Sequence, residues 1–131
     1  MTSRKVAVLI GSLRAESYSR KLASALIGLA PAALTLEVVE IGDLPLYNED
    51  LDAGTPPAAY TAFREKMKGF DAFLFVTPEY NRSMPAVLKN ALDVGSRPYG
   101  HSIWDGKPGA VISVSIGGSA VLAPTIIYGK P

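Results

Sequence analysis

Two short segments are apolar at every position: Val6-Ala7-Val8-Leu9-Ile10, ended by Gly11, and Ala72-Phe73-Leu74-Phe75-Val76, framed by Asp71 and Thr77. A strand with one face in water alternates apolar and polar residues, so a strand that is apolar throughout must be covered on both faces. Such strands belong to parallel sheets, in which helices carry the chain back between strands. The segments around them have the matching helical spacing. Residues 19–29 put Leu22, Leu26 and Leu29 on one face with Ala23, Ile27 and Ala30 beside it, and Pro31 stops the run. Residues 59–68 put Tyr60, Phe63 and Met67 on one side. Residues 85–96 open with a proline, favoured at the first helical position, and present Leu88, Ala91 and Leu92. Residues 34–41 and 110–114 read as further strands, and residues 42–57 as a long loop rich in Asp, Pro and Gly. The order β-α-β-α-β-α-β predicts right-handed crossovers and a ligand crevice outside the carboxyl ends of the strands. Thr125-Ile126-Ile127-Tyr128 is strand-like, but residues 116–124, with Pro124 among them, are too few for a parallel crossover of about a dozen residues. An antiparallel edge segment, or no sheet at all, is expected there.

Composition narrows the chemistry. A chain of 131 residues, 48% hydrophobic and 19% charged, suits one globular domain. The absence of cysteine excludes a disulfide scaffold, a thiolate nucleophile and a cysteine metal site, and the single histidine excludes a His-rich one. A net charge of +1 offers no broad field for nucleic acid or an anionic membrane. No apolar run approaches the roughly 18–20 residues that span a bilayer, and Met1-Thr2-Ser3-Arg4-Lys5 leads straight into a strand rather than a signal peptide. A soluble, cytoplasmic protein without nucleic-acid or membrane partners is expected.

Three loops fall at the carboxyl ends of predicted strands. The first, Gly11-Ser12-Leu13-Arg14-Ala15-Glu16-Ser17-Tyr18-Ser19-Arg20, brings serine hydroxyls and guanidinium groups to a helix N-terminus, where free amides and the helix dipole favour a phosphate. It lacks the Gly-Lys-Ser/Thr ending of a Walker loop and the Gly-x-Gly-x-x-Gly dinucleotide pattern. The alternative is an ordinary polar loop with Ser17 or Ser19 as helix cap. The second loop, Thr77-Pro78-Glu79-Tyr80-Asn81-Arg82-Ser83-Met84-Pro85, is stiffened by prolines and offers an aromatic face at Tyr80. Asn81 tolerates unusual backbone angles. It suits a flat heterocycle or is simply a proline-stapled turn. The third, Ser113-Val114-Ser115-Ile116-Gly117-Gly118, has glycines that let a ligand approach the backbone. Each loop alone is weak; their convergence on one crevice is the signal.

These residues resemble the NADPH-dependent FMN reductase family, flavodoxin-like proteins that include quinone, chromate and azo-dye reductases. The resemblance is carried by Gly-Ser-Leu-Arg-x-x-Ser-x-Ser at 11–19, Pro-Glu-Tyr-Asn at 78–81 and Leu-Lys-Asn-Ala-Leu-Asp at 88–93. Leu46-Tyr47-Asn48-Glu49-Asp50 and Ser96-Arg97-Pro98 add to it, so that it covers roughly residues 5–115. It implies a three-layer α/β/α sandwich with a parallel sheet of order 2-1-3-4 and an absent or atypical fifth strand. It also implies an FMN-dependent oxidoreductase that passes electrons from NADPH or NADH to quinones, flavins, chromate or azo compounds. The FMN phosphate would sit on Ser12, Arg14, Ser17 and Ser19, with Arg20 nearby. The isoalloxazine ring would lie against Pro78, Glu79, Tyr80 and Asn81, flanked by Ser115 and Gly118. Arg97 would meet the nicotinamide cofactor or an anionic acceptor, or be a solvated surface charge. Dimers or tetramers are implied, with residues 85–96 in the interface.

The sequence departs from the family at Arg82 and Val94, where aromatic residues are common. Relatives run on by a further β-α unit and a final helix, and the tail from Gly118 does not resemble theirs. Residues 1–131 are therefore expected to be a single flavodoxin-like FMN-binding domain, incomplete at its C-terminus relative to the family. The competing expectations are a flavin-binding electron carrier or interaction protein without direct NAD(P)H oxidation, and an inactive truncated fragment.

His101 lacks a Gly-x-Ser-x-Gly elbow to serve and reads as a loop residue. Asp43, Glu49, Asp50 and Asp52 read as a solvated acidic loop rather than a magnesium site. A phosphorylated receiver domain would need acids where Gly11 and Ser12 stand. Trp104 is expected to pack at a turn, or to shield the flavin of a neighbouring subunit.

Overall fold

A computed structural model of the protein describes residues 3–115. The elements are β1 (Arg4–Ile10), α1 (Tyr18–Leu29), β2 (Leu34–Val38), α2 (Glu49–Asp52), α3 (Ala58–Lys68), β3 (Ala72–Thr77), α4 (Ala86–Gly95) and β4 (Gly109–Ser113). The strands are all parallel in the order β2-β1-β3-β4, as the resemblance implies. Val6 stands opposite Leu36 and Ala72, and Phe75 opposite Val111, so the two all-apolar strands lie side by side in the middle.

Successive strand residues point to opposite faces. Ala7, Leu9, Phe73 and Phe75 join Tyr60, Phe63 and Met67 of α3 and Leu88, Ala91, Leu92 and Val94 of α4 in one buried cluster. Val8, Ile10 and Val76 join Ala23 of α1, with Leu22, Leu26, Leu36, Val38 and Leu74 half-buried around them. Helices therefore cover both faces, giving the α/β/α layering.

Trp104 is buried against its own chain, edge-on to Phe73 at 4.8 Å and tilted against Phe75 at 5.8 Å, with Nε1 donating to the Leu92 carbonyl at 3.1 Å. This overturns the alternative in which it shields a neighbour's flavin. Its indole lies so close to α4 that a Cβ on Gly95 would stand 2.7 Å from Nε1, which is why glycine ends that helix. Three further expectations are corrected. Leu29 is 80% exposed, because the last turn of α1 runs past the amino edge of the sheet, where Arg4 and Lys5 are exposed as well. The loop 42–57 contains α2, whose first turn is fixed by Asn48 Oδ1 accepting from the Asp50 amide at 2.9 Å. Residues 39–41 do not extend β2. The strand-like residues 125–128 lie outside the described residues.

Candidate functional site

The three sequence-predicted loops leave the sheet together. Gly11, the first residue past β1, donates its amide to the Val76 carbonyl at 2.8 Å, and Val114, the first past β4, donates to the Thr77 carbonyl at 3.1 Å. Both neighbours are thus still tied to the end of β3 where the 78–85 loop begins. A Cβ on Gly11 would meet Thr77 Oγ1 at 2.5 Å and its Cα at 3.3 Å, so this approach requires glycine. Thr77 is fully buried and its hydroxyl donates to the Pro78 carbonyl at 2.7 Å, which fixes the first peptide of the loop.

In the first loop Ser12, Ser17 and Ser19 are all buried. Ser17 is the N-cap of α1: its Oγ accepts from the Arg20 amide at 3.0 Å and its carbonyl from the Lys21 amide. The amides of Tyr18 and Ser19 stand at the first helical positions, where no intrahelical acceptor exists. The hydroxyls of Ser12 and Ser19 have no hydrogen-bond partner among the described residues. Arg14 is exposed. Arg20 turns away to Glu40 beyond β2, with its two terminal nitrogens 3.2 and 3.3 Å from the carboxylate oxygens.

The second loop closes in a tight turn. Tyr80 and Ser83 exchange two backbone bonds of 3.0 Å each, and the residues between them, Asn81 (φ 52°) and Arg82 (φ 62°), are both left-handed. This is the two-residue geometry that hairpins use. Tyr80 is half exposed, in keeping with an available aromatic face. Ser115 is exposed just past β4, and Gly118 lies outside the described residues.

Arg97 lies on a different part of the chain from these three loops. It follows the C-terminal end of α4, about 15 Å of helix from the second loop, and it acts electrostatically on Tyr47 and Asp52. Those two belong to a polar clamp that single-sequence reading missed. Arg64 donates through both terminal nitrogens to Asp52 at 2.8 Å and through Nε to the Val94 carbonyl at 2.9 Å. Asn90 accepts from the Tyr47 amide at 2.8 Å and donates to the Leu44 and Pro45 carbonyls. Tyr60 donates to the Leu46 carbonyl, and its ring stacks on Tyr47. The bonds to Arg64 hold the Asp52 carboxyl below the usual aspartate range, against the opposing effect of burial. Burial and the neighbouring Asp52 push the Tyr47 phenol up. Asp52 is thus a buried ion-pair partner, not a member of a solvated acidic loop. The detectable signals were an asparagine on the inner face of α4 and an arginine among the apolar positions of α3. Among the described residues no cluster of His, Asp or Glu is arranged to hold a metal ion, and His101 is exposed in its loop.

Comparison with known proteins follows the same lines. The model of the family described as NADPH-dependent FMN reductase matches residues 4–126. A quinone reductase of Pseudomonas putida is 66% identical over 112 residues, which make up 86% of this chain and 60% of that protein. A 2-hydroxy-1,4-benzoquinone reductase of a Burkholderia species is 54% identical over 113 residues, 86% of this chain and 61% of that protein. The solved structure of a flavoenzyme NAD(P)H:(acceptor) oxidoreductase from Paracoccus denitrificans shares the fold with a TM-score of 0.82 and 46% identity. That match covers 88% of this chain and 63% of the other. The chain spans about 60% of the length of the curated relatives it matches.

Proposed function

Because the chain belongs to the NADPH-dependent FMN reductase family, we propose that it carries the flavin-binding part of an FMN-dependent NAD(P)H oxidoreductase whose acceptors are quinones. One observation supports this above the others: the first residues past β1 and β4 are both bonded to the end of β3, so three loops of complementary chemistry open on one crevice. Ser12, Arg14, Ser17 and Ser19 take the phosphate. The unpartnered hydroxyls of Ser12 and Ser19 and the open amides of α1 suit that group. Ser17 Oγ, already accepting from the Arg20 amide, keeps its proton free to donate. Arg20 is committed to Glu40 and contributes only from behind the loop. Pro78, Glu79, Tyr80 and Asn81 face the ring system, and Ser115 and Gly118 flank it.

Bound FMN supplies the redox chemistry, by which NAD(P)H, a proton and a quinone become NAD(P)⁺ and the quinol. The protein's share is placement. Thr77 pins the peptide that starts the ring-facing loop, and the reciprocal Tyr80–Ser83 bonds keep that loop in one shape. Ser17 orders the start of α1, so that its amides are fixed before phosphate arrives. No helix among the described residues is long and apolar enough to cross a membrane. A cytoplasmic location, one flavodoxin-like domain over residues 1–131, and association as a dimer or tetramer complete this reading.

The test is the visible spectrum of the purified protein after adding FMN and removing the excess. Retained flavin bands that NADPH bleaches without oxygen are the expected result. Retained bands that NADPH leaves unchanged would replace the reductase with a flavin-binding carrier, and no retained flavin would end the FMN reading. Sedimentation of the same sample measures the oligomer.

A further inference from the structure

Arg82 occupies a place where an arginine is costly. It is the second central residue of the Tyr80–Ser83 turn, with φ 62°. In this two-residue turn both central positions have positive φ, and the favoured pair is Asn-Gly. Asn81 meets the first preference; Arg82 stands where glycine is favoured, and its Cβ crowds the following carbonyl. Nothing within the described molecule offsets this. Arg82 is exposed and has no ion pair, hydrogen bond or ring contact there. Two other arginines show what a structural guanidinium does in this fold: Arg20 is paired with Glu40, and Arg64 with Asp52. A residue kept on a strained backbone with an unpaired charge at the edge where the three loops open points to a role outside the fold.

Placement defines that role. The turn rises from the end of β3, which lies between β1 and β4, and so stands at the middle of the edge where the three loops open. It is beyond the stem that holds Thr77 and Pro78. A guanidinium carried on that turn is a charged donor for an anion that enters after the flavin is seated.

We infer that Arg82 is a specificity-determining residue that selects acceptors carrying a negative charge, such as hydroxyquinones ionised at neutral pH, over neutral quinones. This rests on the quinone-reductase reading above and deepens it. Charge-assisted hydrogen bonds from Arg82 to the ionised oxygen hold the anionic acceptor, and a neutral quinone gains little from them.

The experiment compares 2-hydroxy-1,4-naphthoquinone with 1,4-naphthoquinone on the FMN-loaded protein, for the wild type, Arg82→Gly and Arg82→Lys. Glycine suits the turn, so the first variant keeps the fold. Expected is a loss of about tenfold in kcat/KM for the anionic acceptor with Arg82→Gly, expressed in KM. The neutral acceptor should change by less than about twofold. Arg82→Lys recovers part of the loss, and added salt narrows the gap. Equal losses on both acceptors, or none, overturn the inference. If the wild type turns over neither acceptor, the reductase reading fails separately. Calorimetric titration with 2-hydroxy-1,4-naphthoquinone then decides Arg82: binding about tenfold weaker in Arg82→Gly supports its role, and equal binding refutes it.

Discussion

The two faces of the sheet are built on different scales. Toward α3 and α4, three aromatic rings, one from α3 and two from β3, close around Trp104, and Asn90, Arg64 and the indole N–H bond carbonyls of neighbouring segments. Toward α1, the fully buried set among the described residues is Val8, Ile10, Ala23 and Val76, and the leucines around it are half-buried. The difference teaches how labour is divided. The thick face fixes the sheet, the start of the 78–85 loop and the clamped segment from Leu44 to Asp52. The thin face carries α1, whose N-terminus holds the proposed phosphate site. A region with fewer buried contacts opens more readily, and under the proposed function that region is the one that would accommodate the phosphate.

Substitutions can break or sharpen this contrast. The largest loss is expected on the thick face: Trp104→Ala should lower stability by about 3–5 kcal/mol in a denaturant titration. A loss under about 1 kcal/mol would remove the basis for calling that face the frame. Arg64→Met comes next, at about 3 kcal/mol near neutral pH, because it strands the Asp52 carboxylate in a buried site. The same pair predicts an acid signature. The folded-state value of Asp52 is depressed, so its contribution is present above about pH 4, the unfolded-state range, and fades as pH falls through the lower folded value. Asp52→Asn should flatten that part of the stability profile, and an unchanged profile would show that the pair does not titrate with folding. Leu26→Ala, on the thin face, should cost only about 1–2 kcal/mol, since the residue is half-buried. A cost equal to that of Leu92→Ala would erase the distinction between the faces. Smallest in stability is Ser17→Ala, at about 1 kcal/mol from the lost cap. Its sharper readout is FMN affinity, which should weaken while the thick face, followed by near-ultraviolet circular dichroism, stays unchanged.

Much of the frame was legible in the sequence because burial there follows local pattern. The unbroken apolar runs at 6–10 and 72–76 became the two central strands, and Leu88, Ala91 and Leu92 became the inner face of α4. That the loops after β1, β3 and β4 share one edge was legible too, since the order of strands and helices alone places them there. What failed depended on distance through space. Helical spacing gave Leu29 an inner face but could not show where the sheet ends beneath α1. Asp52 looked solvated because its partner, Arg64, lies on another element, and charge patterning along the chain does not pair a loop with the inner side of a helix.

Trp104 is the single tryptophan of the chain, and it is sealed inside one layer. Its emission is therefore a private channel to that layer. Melting followed at this fluorophore reports the side held by α3 and α4, while far-ultraviolet ellipticity averages over all helices. If α1 peels away first, the two curves separate, with ellipticity falling while the emission maximum stays blue. One sample read at two wavelengths can thus tell whether the molecule comes apart as a single unit or one layer at a time.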